Sequence, residues 1–65
     1  MTQTVKKAME VMRRLNPYDN NEPATTVEYN KIWSALYTLY NIGALSHEEW
    51  NAVFNLDNKL FNDAE

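Results

Sequence analysis

Apolar positions recur with a helical period in three separate stretches of this chain. In the first, Val5, Ala8, Met9, Val11, Met12 and Leu15 fall within an arc of roughly 160° when successive residues are set ~100° apart. Lys6, Lys7, Glu10, Arg13 and Arg14 fill the opposite arc. That separation predicts an amphipathic helix over 4–15. Pro17 closes it, because the residue before a proline is pushed out of the helical region. The stretch 16–24 holds Pro17 and Pro23 and no apolar period, and reads as a polar loop.

A second helix is predicted over 26–42. Thr25 and Glu28 have the spacing of a capping box, and Ala24 and Tyr29 that of the accompanying hydrophobic staple. Tyr29, Ile32, Trp33, Leu36, Tyr37, Leu39 and Tyr40 share one broad stripe. The back of this helix carries Asn30, Ser34, Ala35, Thr38 and Asn41, small or uncharged and poorly built for water. A helix with an aromatic front and such a back is expected to be contacted on both sides.

The sharpest local signal follows. Gly43 can take the left-handed conformation that ends a helix, while Ser46 and Glu49 form a capping-box pair flanked by Leu45 and Trp50 as a staple. This predicts a turn over 43–46 and a third helix over 47–62. Trp50, Val53, Phe54, Leu60 and Phe61 make its stripe, and Asp57 interrupts it. Asn51, Asn55, Asn58 and Asn62 form a separate uncharged face, a candidate contact surface although asparagine is a mediocre helix former. Asparagine is plentiful elsewhere in the chain, so compositional bias is the simpler competing explanation. Asp57 should either reach a Tyr hydroxyl, a Trp N–H or a Lys inside the fold, or sit wet at its boundary; the wet boundary is the expectation in so short a protein. The whole pattern predicts one all-α domain over 1–65, with helices two and three as an antiparallel hairpin and helix one packed across them.

The corner residues Leu39, Gly43, Leu45, Ser46, Glu48, Glu49 and Trp50 resemble the hairpin turn of the short bacterial C-terminal domains called SHOCT, which carry a Gly–x–Ile–Thr–x–Glu–Glu–Phe type turn. The resemblance covers less than half of the chain and implies an oligomerisation or interaction role without catalysis. Val53 stands where such domains tend to carry a basic residue, and the helix after the turn continues past their usual end.

With 65 residues and no cysteine, neither disulfides nor a thiolate zinc site can reinforce a core of this size, which leaves self-association as the common remedy. Charge is uneven. Up to Leu15 four cations oppose Glu10, a balance of +3; from Asn16 onward Lys31 and Lys59 oppose eight carboxylates, a balance of −6. No run approaches the ~20 apolar residues that cross a bilayer, and the first helix lacks an aromatic anchor for the membrane surface. The chain is expected to be soluble and cytoplasmic.

Chemistry finds little purchase. His47 is the only histidine, Ser46 beside it is assigned to capping, and Asp57 lies several turns away, which argues against a nucleophilic triad. Glu48 and Glu49 lack a further histidine or thiolate for a metal, and one glycine cannot build a phosphate-cradling loop. No enzymatic activity, cofactor or metal is expected. Lys6, Lys7, Arg13 and Arg14 offer an alternative nucleic-acid contact, but the helix after the turn is acidic and would be repelled from a groove. A solvated face, or pairing with acids of the third helix, accounts for those four cations more simply. The expected function is binding of another protein through Asn30, Ser34, Ala35, Thr38 and Asn41 together with Asn51, Asn55, Asn58 and Asn62, as a homodimer. The composition is that of small phage or mobile-element inhibitors and adaptors acting on a host protein. A nucleic-acid accessory protein and a structural subunit of a larger assembly are the competing classes.

Overall fold

In the computed structural model, which describes residues 2–64, every regular element is helical: α1 spans Gln3–Leu15, α2 Pro23–Asn41 and α3 His47–Asp63. Helices α2 and α3 form the antiparallel hairpin, and α1 packs against both. The arrangement is the all-α three-helix domain that the apolar periods predict.

Helix α1 begins one residue earlier than its apolar period suggests, because Thr2 caps it by accepting the Val5 N–H at 3.4 Å. It ends at Asn16, which takes the left-handed conformation (φ 32°), one that asparagine tolerates better than most residues, and donates its N–H to the Met12 carbonyl at 2.9 Å. Helix α2 starts three residues before the predicted 26, and the loop is shorter than 16–24 by two. Pro23 is the reason. At the first helical position its missing N–H costs nothing, since that donor has no helical partner anyway, and its fixed φ already suits the helix. Thr25 therefore lies inside the first turn, the Thr25–Glu28 box does not form, and Ala24 is exposed rather than stapled to Tyr29.

The corner between α2 and α3 forms as its residues require. Gly43 sits at φ 81°; its N–H bonds the Tyr40 carbonyl at 3.1 Å and the Ala44 N–H bonds the Leu39 carbonyl at 2.9 Å, the two bonds of a Schellman ending. Ser46 Oγ accepts the Glu49 N–H at 3.0 Å, and Glu49 Oε1 accepts the Ser46 N–H at 3.1 Å, completing the capping box. Leu45 is buried and Trp50 packs against the same core. The second oxygen of Glu49 is also used. Its Oε2 accepts the backbone N–H of Thr2 at 2.9 Å, so one side chain ties the start of α1 to the start of α3 and sets both helices running from the same end of the molecule.

The sealed core consists of Val5 and Met12 from α1, Tyr29 and Leu36 from α2, Leu45 from the turn, and Val53 and Leu56 from α3. Leu56 lies outside the apolar stripe read from the sequence, yet it is buried. Tyr37, Phe54 and Phe61 lie on the predicted stripes, yet are 54%, 51% and 61% exposed. The stripes on α2 and α3 are simply wider than the surface that α1 and the opposing helix can cover.

Candidate functional site

Two polar and aromatic constellations are built on this frame. The first centres on Asp57. Its Oδ1 accepts the Tyr29 hydroxyl at 2.6 Å, the Tyr18 hydroxyl at 2.7 Å and, more distantly, the Trp33 indole N–H at 3.4 Å. The carboxylate is therefore half-buried and engaged within the fold, which corrects the expectation of a wet boundary residue. The reason is the loop: it folds back so that the Tyr18 ring meets Tyr29 edge-on at 6.1 Å and Phe61 edge-on at 5.3 Å, covering the oxygen that would otherwise face water. Burial, reinforced by the hydrogen bond to Asp57 and by its negative charge, pushes the Tyr18 hydroxyl up to about 12 and raises that of Tyr29 as well.

The second is an aromatic seam between α2 and α3. Trp33 meets Trp50 edge-on at 5.2 Å and Phe54 edge-on at 6.2 Å, Tyr40 stacks on Trp50 at 5.1 Å, and Tyr37 leans on Trp50 at 5.8 Å. Tyr37 and Phe54 each follow a buried residue, Leu36 and Val53, by one position, and Phe61 follows half-buried Leu60 in the same way. A single step turns a helix ~100°, and because α2 and α3 are antiparallel the step carries both helices toward the same side of the hairpin, away from α1. The exposed rings thus share one open face.

All nine residues expected to bind a partner are exposed. The fold gathers some and separates others. Asn30, Ser34 and Asn41 lie within roughly 60° of Tyr37 on α2, and Asn51 and Asn58 within roughly 60° of Phe54 on α3, so these five rim the open face. Ala35, Thr38, Asn55 and Asn62 lie further round, on the outer flanks of the hairpin. Sequence reasoning missed the rings themselves, which it assigned to the core. Their place at one edge of each stripe, one step past a core position, was the available signal.

The basic residues Lys6, Lys7, Arg13 and Arg14 are exposed along α1. Among the described residues the ion pair found is Lys31–Glu28 at 3.4 Å, itself on the surface, so of the two simpler accounts of these four cations the structure shows the solvated face and not pairing with acids of α3. Val5, Ala8, Met9 and Met12 occupy the side of α1 packed into the fold, which turns the cations outward. The three residues weighed for a nucleophilic triad are engaged separately: Ser46 Oγ caps α3, His47 Nδ1 lies 2.9 Å from the Tyr40 hydroxyl, and Asp57 holds its two tyrosines. Among the described residues no three His, Cys, Asp or Glu side chains gather as metal ligands, and no helix is long and apolar enough to cross a membrane. Glu49, which accepts the Thr2 and Ser46 N–H groups, has its carboxyl held below the ordinary range by those bonds.

Comparison with family models, with curated proteins and with solved structures finds no match, so the likeness of the corner to SHOCT turns rests on its capping residues alone.

Proposed function

We propose that this chain is a non-enzymatic protein-interaction module that binds a protein on the open face of the α2–α3 hairpin. The observation that carries the reading is the exposure of Tyr37, Phe54 and Phe61 on one uncharged surface. Exposed aromatic side chains rimmed by polar residues are the usual composition of protein-binding patches, with rings as anchors and the rim excluding water. Nucleic acid is poorly served there, because no cation on that face can neutralise a phosphate. The small size, the absence of cysteine and the uncharged rim suit a phage or mobile-element inhibitor or adaptor acting on a host protein in the cytoplasm.

A second reading draws on the unpaired cations of α1, which could grip a nucleic-acid backbone. The two separate cleanly. A photo-crosslinking residue at Asn58, introduced in the native host, should yield a protein adduct whose formation resists several hundred millimolar salt, where the Debye length is only a few ångströms, roughly 4–5 Å. Sub-micromolar, salt-sensitive duplex binding that disappears when Lys6, Lys7, Arg13 and Arg14 are changed to Ala would reverse the assignment in favour of nucleic acid.

A further inference from the structure

We infer that the occupant of the open face is a second copy of this chain, the two hairpins packing across a two-fold axis with Phe54 near the centre, Tyr37 and Phe61 to either side of it and each α1 on the outside. This rests on the reading that the face binds protein, and makes that protein a second copy of the chain in place of a host factor at this face. Three observations carry it.

The first is charge. A two-fold axis sets a surface against itself, so any ion on it meets its own sign. The charged residues of α2 and α3 avoid this face: Glu28, Lys31, Glu48, Lys59 and Asp63 lie roughly 120° or more around the helix from Tyr37 or Phe54. Asp57 comes nearer, but its Oδ1 is turned to Tyr18 and Tyr29. In a chain with 6 basic and 9 acidic residues, the α2–α3 surface around Tyr37 and Phe54 therefore has few like charges to oppose across such an axis.

The second is the rim. Asn30, Asn51 and Asn58 each carry a donor and an acceptor in one side chain, so an asparagine rim can hydrogen-bond to a rotated copy of itself.

The third is area. Nineteen residues in α2 and 17 in α3 make a hairpin about 25 Å long at ~1.5 Å per residue and, with each helix 10–12 Å across, roughly 20 Å wide. That projects to ~500 Å² per copy, on the order of the ~1,000 Å² in total that a specific interface has to clear. Two such hairpins form a four-helix packing, an arrangement that hides the half-exposed rings a single copy leaves in water.

Sedimentation of the full chain tests this. The unmodified protein should run at twice its 7.6 kDa over the micromolar range. Phe54→Glu should raise the dimer dissociation constant by about tenfold or more, as loss of an anchoring ring does, with helical content unchanged by circular dichroism. Asn58→Asp leaves every ring in place and sets like charges near the axis. It should weaken the dimer at low salt and recover at high salt, a signature that a merely structural defect does not give. An unmodified chain that stays monomeric at high micromolar concentration overturns the inference, as does a dimer indifferent to both substitutions. Should the chain be monomeric while the Asn58 crosslinker captures a different protein, self-association falls and the interaction role stands.

Discussion

The Tyr29 hydroxyl lies 2.6 Å from Asp57 Oδ1 across 28 residues of sequence, and the same oxygen takes the Tyr18 hydroxyl from 39 residues away. Loop, α2 and α3 are therefore joined at one atom. A carboxylate placed on an apolar stripe is costly unless its lone pairs are used, and here two phenols use them. The same oxygen holds the loop down, since it takes the Tyr18 hydroxyl while the Tyr18 ring rests on Tyr29 and Phe61.

Removing the acceptor should matter more than removing one donor. Asp57→Ala leaves two phenols without their acceptor and is expected to cost on the order of 3 kcal/mol, a large part of the ~3–10 kcal/mol available to a chain of this length. Tyr29→Phe should cost about 1–1.5 kcal/mol, because Asp57 keeps Tyr18. The double variant should lose less than the two single losses combined, since each removes the same bond. Urea unfolding of the four proteins measures this; simple additivity would show that the two residues are not coupled.

Alkaline pH should act through the same cluster. Both tyrosine hydroxyls are raised from 10.0, that of Tyr18 to about 12, so the unfolded chain ionises first. The stabilisation is complete below pH 10 and is lost as pH climbs through 12. Stability against urea should therefore fall with pH across this window, and Tyr29→Phe should make the fall shallower. Tyrosinate absorbance followed beside circular dichroism tests it: full ionisation of all 4 tyrosines before any loss of helix would contradict the cluster.

Glu49 behaves in the opposite sense. Its carboxyl is held below 4.5 by the Thr2 and Ser46 N–H groups, so its contribution is present above that value and lost as pH falls through the lower native value. Glu49→Gln should be less stable than the unmodified chain at neutral pH, and the two should converge in acid. A gap that persists at low pH would mean that the charge plays no part.

At the corner, backbone and side chain can be separated. A Cβ added to Gly43 would meet nothing within 4 Å, so Gly43→Ala should cost only the left-handed backbone, about 1–2 kcal/mol, and Gly43→Asn less. Ser46→Ala should cost about 1 kcal/mol through the lost cap. Thermal melting of the three variants should rank them with Gly43→Asn the mildest; a Gly43→Ala protein as stable as the unmodified chain would be incompatible with φ 81° at this position.

What could be read from the sequence was chemistry that closes within a few residues. Ser46 and Glu49, three apart, make their capping box whatever the rest of the chain does, and Gly43 ends its helix because no other residue type sits as easily at positive φ. The apolar periods of α1, α2 and α3 are local in the same sense, which is why three helices and a hairpin were legible. Helix starts were less so: Thr25–Glu28 matches a capping box as well as Ser46–Glu49 does, but Pro23 two residues earlier already satisfied the first turn. Asp57 could not be assigned, because whether it meets water or phenols depends on where a loop 39 residues away comes to rest. The same holds for Tyr37, Phe54 and Phe61. Periodicity puts them on the apolar side of their helices, but a stripe wider than its neighbours leaves one edge open, and only the packing of α1 decided which edge that would be. Local hydrogen bonds are encoded by residue type and spacing; burial is a property of the assembled surfaces, and one helix cannot specify it alone.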